Sequence, residues 1–244
     1  MLVEIFLAIV QAATEFLPIS SSGHLALFSN LFSEVDLFFF VILHLASLMA
    51  VVVYTRKEIF SLISFRKKYR KMWIYLLIGI IPAGIFGLFF KDSFESFANN
   101  YLFLSIAFLF TGIVLVSTRK FSGVRKVSYL SSLAMGLSQV LALFPGVSRS
   151  GITISTGLFS GIEKKEAFRF SFLMLIPLTL GALVITWDGA FFNLAILLSF
   201  IVCFFMSLFF LKVLEKVLLG NYFWVFGIYC FVAAVVSLVL ELLI

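Results

Sequence analysis

Glu15, the serine run Ser20-Ser21-Ser22, His24 and, far along the chain, Arg149 are the residues whose types could do chemistry. Gln11 and Glu15 are four apart and share one face if their segment is helical. Pro18 then ends that helix. Ser20-Ser21-Ser22-Gly23 forms a turn into a second short helix, where a serine is a natural N-cap and unpaired N–H groups make an anion site. Ser21 and His24 are three apart, within reach across one helical turn. A second loop, Pro145-Gly146-Val147-Ser148-Arg149-Ser150-Gly151, has glycines that let the backbone approach a ligand and an arginine whose planar fork suits phosphate. Together these supply a carboxylate for a divalent cation (Mg2+ or Ca2+), an arginine and a backbone cradle. They add a hydroxyl nucleophile and an imidazole that ordinarily titrates near 6.5. That set fits phosphoryl transfer, with a hydroxyl activated by an adjacent base. Plainer roles compete: the serines can simply cap, and Arg149 can pair with Glu15, a pairing compatible with a phosphate grip in a resting enzyme.

The elements that must position these groups are membrane helices. The chain of 244 residues is 63% hydrophobic and only 12% charged, with a mean hydropathy of +1.19. This excludes an ordinary soluble domain and predicts one all-α integral membrane domain over 1–244. The N-terminus lacks the basic flank of a cleavable signal peptide, and none is expected. Cys203 and Cys230 fall in apolar runs and read as packing residues. Six segments are long enough to cross the hydrocarbon, at about 37–54, 73–90, 101–117, 167–187, 194–212 and 222–243; about 17–25 residues are needed. Residues 2–14 and 128–144 are too short and too interrupted for comfortable spans, and each runs into a Pro/Ser/Gly cluster. Both read as re-entrant hairpins, because broken backbone at membrane depth must be buried in protein or line a cavity.

The two hairpins are related. With a constant shift of 128, Gln11 meets Gln139, Phe16 meets Phe144, Ser20 meets Ser148, Ser22 meets Ser150 and Gly23 meets Gly151. Each hairpin precedes three spans. The plan is an inverted-topology repeat, about 1–120 and 121–244, whose broken elements meet near the midplane. Of 18 Lys and Arg residues, 16 fall on one face, in loops that include Arg56, Lys57, Arg66, Lys67, Lys68, Arg119, Lys120, Lys164 and Lys165. Lys91 faces the other way with Glu4, Glu34, Asp36, Asp92, Glu95, Asp188 and Glu241. The basic face is expected to be cytoplasmic and both termini outside, in the plasma (inner) membrane. The net charge of +6 then reflects topology, and nucleic acid is not an expected partner. A site at membrane depth calls for a lipid phosphate or diphosphate as substrate.

At "QAATEFLPISSSGH" and "PGVSRSG" the sequence resembles the undecaprenyl-diphosphate phosphatase family, also called the bacitracin-resistance protein family. Its hallmarks are an (E/Q)xxxE motif running into a serine-rich loop with His, and a PGxSRSG motif; the likeness covers the whole chain. The resemblance implies hydrolysis of undecaprenyl diphosphate to the monophosphate and inorganic phosphate, recycling the carrier lipid for cell-wall polymers. It implies that Glu15 sits at the metal and diphosphate, that Ser21 is the nucleophile assisted by His24, and that Arg149 grips the diphosphate. Ser148 and Ser150 match the flanking hydroxyls, and Gln11, Ser20, Ser22 and Gly146 join them as expected substrate contacts. Gln11 stands where many members carry Glu, so metal binding is expected to rest on Glu15 and the substrate's oxygens. Gln11 and Gln139 could equally be helix-packing amides. His44 is expected to pack or to support the site from behind. A homodimer is compatible with this plan. A transporter of polyprenyl phosphate between leaflets is the alternative, because inverted repeats with broken helices are its architecture. A type 2 phosphatidic acid phosphatase is excluded: the histidine it needs six residues after Arg149 is Ser155 here.

Overall fold

The computed structural model describes residues 2–29, 37–64, 69–97, 100–186 and 193–243. Among them are eleven α-helices and no strand. They are α1 (Leu2–Phe16), α2 (Ser21–Ser29), α3 (Leu37–Tyr54), α4 (Arg56–Ile63), α5 (Arg70–Ser96), α6 (Tyr101–Ser117), α7 (Tyr129–Leu141), α8 (Arg149–Phe159), α9 (Lys164–Thr186), α10 (Leu194–Leu219) and α11 (Val225–Leu243). Five helices, α5, α6, α9, α10 and α11, are long and apolar enough to cross a bilayer; α3 joins them if it and α4 count as one span bent by 71°. The longest of the other four, α1, has 15 residues and rises about 22 Å, short of a hydrocarbon core of about 30 Å.

Three boundaries differ from the sequence reading. The polar stretch after residue 54 contains a helix, α4. Helix α5 continues beyond 90 to Ser96, with a non-helical kink at Phe90 (φ −125°, ψ 18°). Helix α10 runs through Lys212, Glu215 and Lys216 to Leu219, past the expected end at 212. Its buried stripe Leu211, Leu214 and Leu218 continues at helical spacing, and the Tyr54 hydroxyl donates to Glu215. Of the charges used for orientation, Glu34, Asp36, Arg66, Lys67, Lys68 and Asp188 lie outside the described residues.

The packing centres on the ends of the short helices. Phe16, the last residue of α1, is fully buried. Its ring meets Phe172 of α9 at 5.9 Å, and Phe172 meets Phe168 at 4.7 Å. Leu158 of α8 and Leu211 of α10 join the same cluster. This one core ties α1 to α8 although they are more than 130 residues apart in the chain. Elsewhere small residues let backbones touch, as lipid-embedded helices require. A Cβ on Gly136 of α7 would stand 2.6 Å from the Gly79 carbonyl oxygen of α5, and one on Gly227 of α11 would stand 2.7 Å from that of Gly112 of α6.

Gly136→Val should therefore lower the melting temperature of the detergent-purified protein by several degrees, consistent with about 1–3 kcal/mol of overpacking. Gly181→Ala, where an added Cβ meets nothing within 4 Å, should leave it unchanged or slightly raised. Thermal unfolding of the two variants side by side checks this.

Candidate active site

Two loops build the site, and each ends in the same serine cap. Pro18 has no N–H to continue α1, whose last turn ends with Leu17 N–H donating to Ala13 O at 2.9 Å. Ser20 then takes a left-handed conformation, φ +69°. Its Oγ accepts the Gly23 N–H at 3.2 Å and lies 3.3 Å from Ser22 Oγ. In the second loop Gly146 has φ +91°. Ser148 Oγ accepts the Gly151 N–H at 3.2 Å and lies 3.4 Å from Ser150 Oγ. Each serine satisfies one free donor at the start of the helix that follows, α2 or α8. Thr111 of α6 anchors the second loop from outside, with Oγ1 3.1 Å from the Gly146 carbonyl oxygen and accepting the Ser148 N–H at 3.3 Å.

The loops touch backbone to backbone. A Cβ on Gly23 would lie 2.8 Å from Gly146 Cα, so only glycine permits this approach. Ser150 Oγ donates to the Phe16 carbonyl oxygen at 3.1 Å. That contact places Arg149 beside Glu15, with Nη2 donating to Oε1 at 2.9 Å. The other carboxylate oxygen, Oε2, accepts the Ser21 hydroxyl at 2.7 Å and the Gln11 amide at 3.3 Å. Ser21 and Arg149, the first residues of α2 and α8, thus both donate to Glu15. Arg149 Nη1 is buried with no hydrogen-bond partner.

The two histidines stand differently from the sequence reading. His24 does not pair with Ser21 as expected: its Nδ1 meets the Ser20 carbonyl oxygen at 2.7 Å and its Nε2 meets the Tyr229 hydroxyl of α11 at 2.7 Å. A carbonyl only accepts, so Nδ1 carries the proton and Nε2 accepts from Tyr229. Phe108 packs edge-on against the ring at 5.4 Å. His24 therefore braces the strained Ser20 turn. His44 of α3, expected in packing or behind the site, lies at its centre: its Nε2 is 3.8 Å from Glu15 Oε2 and 3.4 Å from Gln11 Nε2.

A cavity of about 550 Å³ opens onto this cluster. Glu15, Ser20, Ser21, Ser22, His44, Ser148 and Arg149 line its polar end; Ile80, Ala83, Leu88, Leu143 and Leu178 line the rest. Gln11, His24, Gly146 and Ser150 stand behind that lining and hold it. Gln139 also reaches the cavity, and its amide donates to the Gly79 carbonyl oxygen at 3.3 Å. A carboxylate that accepts from Arg149, Ser21 and Gln11, an arginine with a spare N–H and two helix starts at the head of a largely apolar chamber suit an anionic headgroup on an apolar tail.

The model of the bacitracin resistance protein BacA family matches residues 4–236. The chain belongs to that family. BacA relatives include an undecaprenyl-diphosphatase of Thermosipho africanus, 39% identical over 241 residues, covering 96% of this chain and 97% of its own length. One of Methanococcus vannielii is 37% identical, covering 94% and 96%. One of Thermotoga maritima is 38% identical, covering 96% and 98%. With five or six spans and membership of the BacA family, the chain is a multi-pass membrane protein.

Sequence reasoning missed Tyr229 and Thr111, because a hydroxyl inside an apolar run gives no sign of its distant partner. For His44 the signal was available, since an ionisable residue within a span is a candidate site residue. Tyr229→Phe removes the hydroxyl that donates to His24 Nε2, a hydrogen bond worth about 0.5–1.5 kcal/mol. Its melting temperature should fall by a few degrees in detergent; an unchanged value would show that His24 is held without it.

Proposed function

We propose that this BacA-family protein hydrolyses a polyprenyl diphosphate, undecaprenyl diphosphate foremost, to the lipid monophosphate and inorganic phosphate. The carrier lipid would thereby return to cell-wall synthesis. One observation carries the reading: Glu15 accepts the Ser21 hydroxyl while paired to Arg149, at the polar head of a largely apolar cavity.

Substrate phosphates compete for the Arg149 guanidinium, whose Nη1 has no protein partner, and for the N–H groups that begin α2 and α8. Glu15 then accepts the proton of Ser21. Ser21 Oγ attacks the terminal phosphorus, an Oγ–P bond forms, and the bridging P–O bond breaks to release polyprenyl monophosphate. Water cleaves the phosphoserine; its oxygen leaves with inorganic phosphate and a proton returns to Ser21. Arg149 faces the charge that develops on the transferring group. His24, held between Ser20 and Tyr229, is a positioning residue in this scheme.

Gln11 Nε2 stands 3.3 Å from Glu15 Oε2 and its Oε1 is buried without a partner, so a half-turn of the amide would set two hard oxygen donors side by side, a pair that fits a divalent cation such as Mg2+ or Ca2+. Bound there, a cation would neutralise charge on the diphosphate.

The two hairpins, α1–α2 and α7–α8, are read as re-entrant elements of an inverted repeat, about 1–120 and 121–244, in a single domain. Their matching serine caps support this, as does the exchange of partners in which α1 packs on α10 and α7 on α5. The positive-inside pattern puts the basic loops in the cytoplasm, both termini outside and the site opening to the outer face of the plasma membrane.

Phosphate release from C55 diphosphate in detergent, with a divalent cation and no gradient, tests the function. Wild type should turn over and lose activity with chelator. Ser21→Ala should fall by at least about 10³-fold and Arg149→Lys by about 10²-fold, since a point charge does not replace a planar fork. No release by wild type would favour lipid-phosphate transport instead.

A further inference from the structure

Gln11, Glu15 and His44 bring three polar atoms into one triangle. Gln11 Nε2 stands 3.3 Å from Glu15 Oε2 and 3.4 Å from His44 Nε2, and the third side is 3.8 Å. His44 Nδ1 lies 2.9 Å from the Phe40 carbonyl oxygen. That oxygen can only accept, so the ring proton is on Nδ1 and Nε2 presents its lone pair to the triangle. An imidazole anchored through one nitrogen to a backbone carbonyl, with the other aimed at a carboxylate, is how proteins orient a metal-binding histidine. His44 is also reachable, because it lines the cavity with 35% of its side chain exposed.

Gln11 supplies the second observation. It is completely buried, yet its Oε1 has no hydrogen-bond partner while Nε2 has two contacts. A half-turn of the amide exchanges the two atoms and puts an oxygen at the same corner. The triangle would then hold an amide oxygen, a carboxylate oxygen and an imidazole nitrogen. Neighbouring ligands about 2.1 Å from an ion are about 3.0 Å apart on an octahedron and about 3.4 Å on a tetrahedron. Two sides of the triangle fall in that range, and the third closes with a shift of less than 1 Å. Arg149 engages the other carboxylate oxygen, Oε1, so the cation would share Oε2 with the Ser21 hydroxyl, which donates to it at 2.7 Å.

We infer that His44 is a ligand of the divalent cation, completing a site with Gln11 Oε1 and Glu15 Oε2, and that its nitrogen shifts the preference from Ca2+ toward Mn2+. This rests on the cation reading proposed above. Oxygen-only sites suit hard Ca2+ and Mg2+, whereas an imidazole favours later first-row ions. The remaining coordination positions are left to phosphate oxygens and water. The neutral Gln11 amide is then one member of a mixed set whose nitrogen donor comes from α3.

The full-length protein, with its purification tag removed, is titrated with Mn2+ followed by electron paramagnetic resonance, and nitrogen modulation is recorded by pulsed spectroscopy. The chain has only two histidines, so His44→Gln and His24→Gln assign the signal. Wild type should bind Mn2+ with modulation from one imidazole. His44→Gln should abolish that modulation and weaken Mn2+ at least about tenfold, with Ca2+ affinity changed less than about threefold. Bound Mn2+ without imidazole modulation, or a signal lost only in His24→Gln, would overturn the role of His44 and leave the cation reading intact. No Mn2+ binding by wild type would overturn both. The wild-type spectrum decides the matter even if a variant fails to fold.

Discussion

The ion pair between Glu15 and Arg149 is the contact on which the rest of the structure depends. The Glu15 side chain is 8% exposed and that of Arg149 25%, at the cavity wall, and a lone charge at membrane depth is costly. Removing one partner of such a pair costs about 3–5 kcal/mol, because the other is left uncompensated. The partners come from helices α1 and α8, 134 residues apart. The fold is therefore obliged to bring two broken hairpins into contact. The Gly23–Gly146 approach, the Ser150 bond to the Phe16 carbonyl and the phenylalanine cluster around Phe16 are the means.

The same pair is well suited to exchange. Arg149 uses one terminal nitrogen on Glu15 and leaves the other without a partner, so in the proposed reaction an incoming phosphate would add bonds before it removed any. Glu15 gives one oxygen to Arg149 and the other to Ser21 and Gln11. Losing the guanidinium to substrate leaves Glu15 beside a hydroxyl whose proton it already attracts. The helix starts at Ser21 and Arg149 face this point together, because both loops use a serine to cap the third N–H of the following helix. One local device, repeated at an interval of 128 residues, thus supplies both the hydroxyl and the cation.

Much of this was legible in the sequence. Long apolar runs mark helices α5, α6, α9, α10 and α11, and the shared Gln-Phe-Ser-Ser-Gly pattern of 11–23 and 139–151 points to two loops that meet. What escaped was information held only in packing. The Lys212-Glu215-Lys216 stretch looks like a loop, but the leucine stripe on its other face keeps it helical and Tyr54 pairs with Glu215. The spacing of Ser21 and His24 invited a catalytic pair, but Ser20 in a left-handed turn sends the imidazole to its own carbonyl and to Tyr229, 205 residues away. His44 is marked as an ionisable residue within a span and was expected to pack or support the site from behind, but nothing in the sequence shows that its neighbours are Gln11 and Glu15 of another helix.

The central claim is that Ser21, donating to Glu15, attacks the terminal phosphorus. The most direct measurement is rapid acid quenching of the wild-type enzyme during turnover of polyprenyl diphosphate labelled in its terminal phosphate, followed by peptide mass spectrometry. The account predicts a transient phosphoserine at Ser21 that forms with release of lipid monophosphate and decays as inorganic phosphate appears. Inorganic phosphate released at the full rate with no labelled protein at any time would contradict it and assign the attack to water.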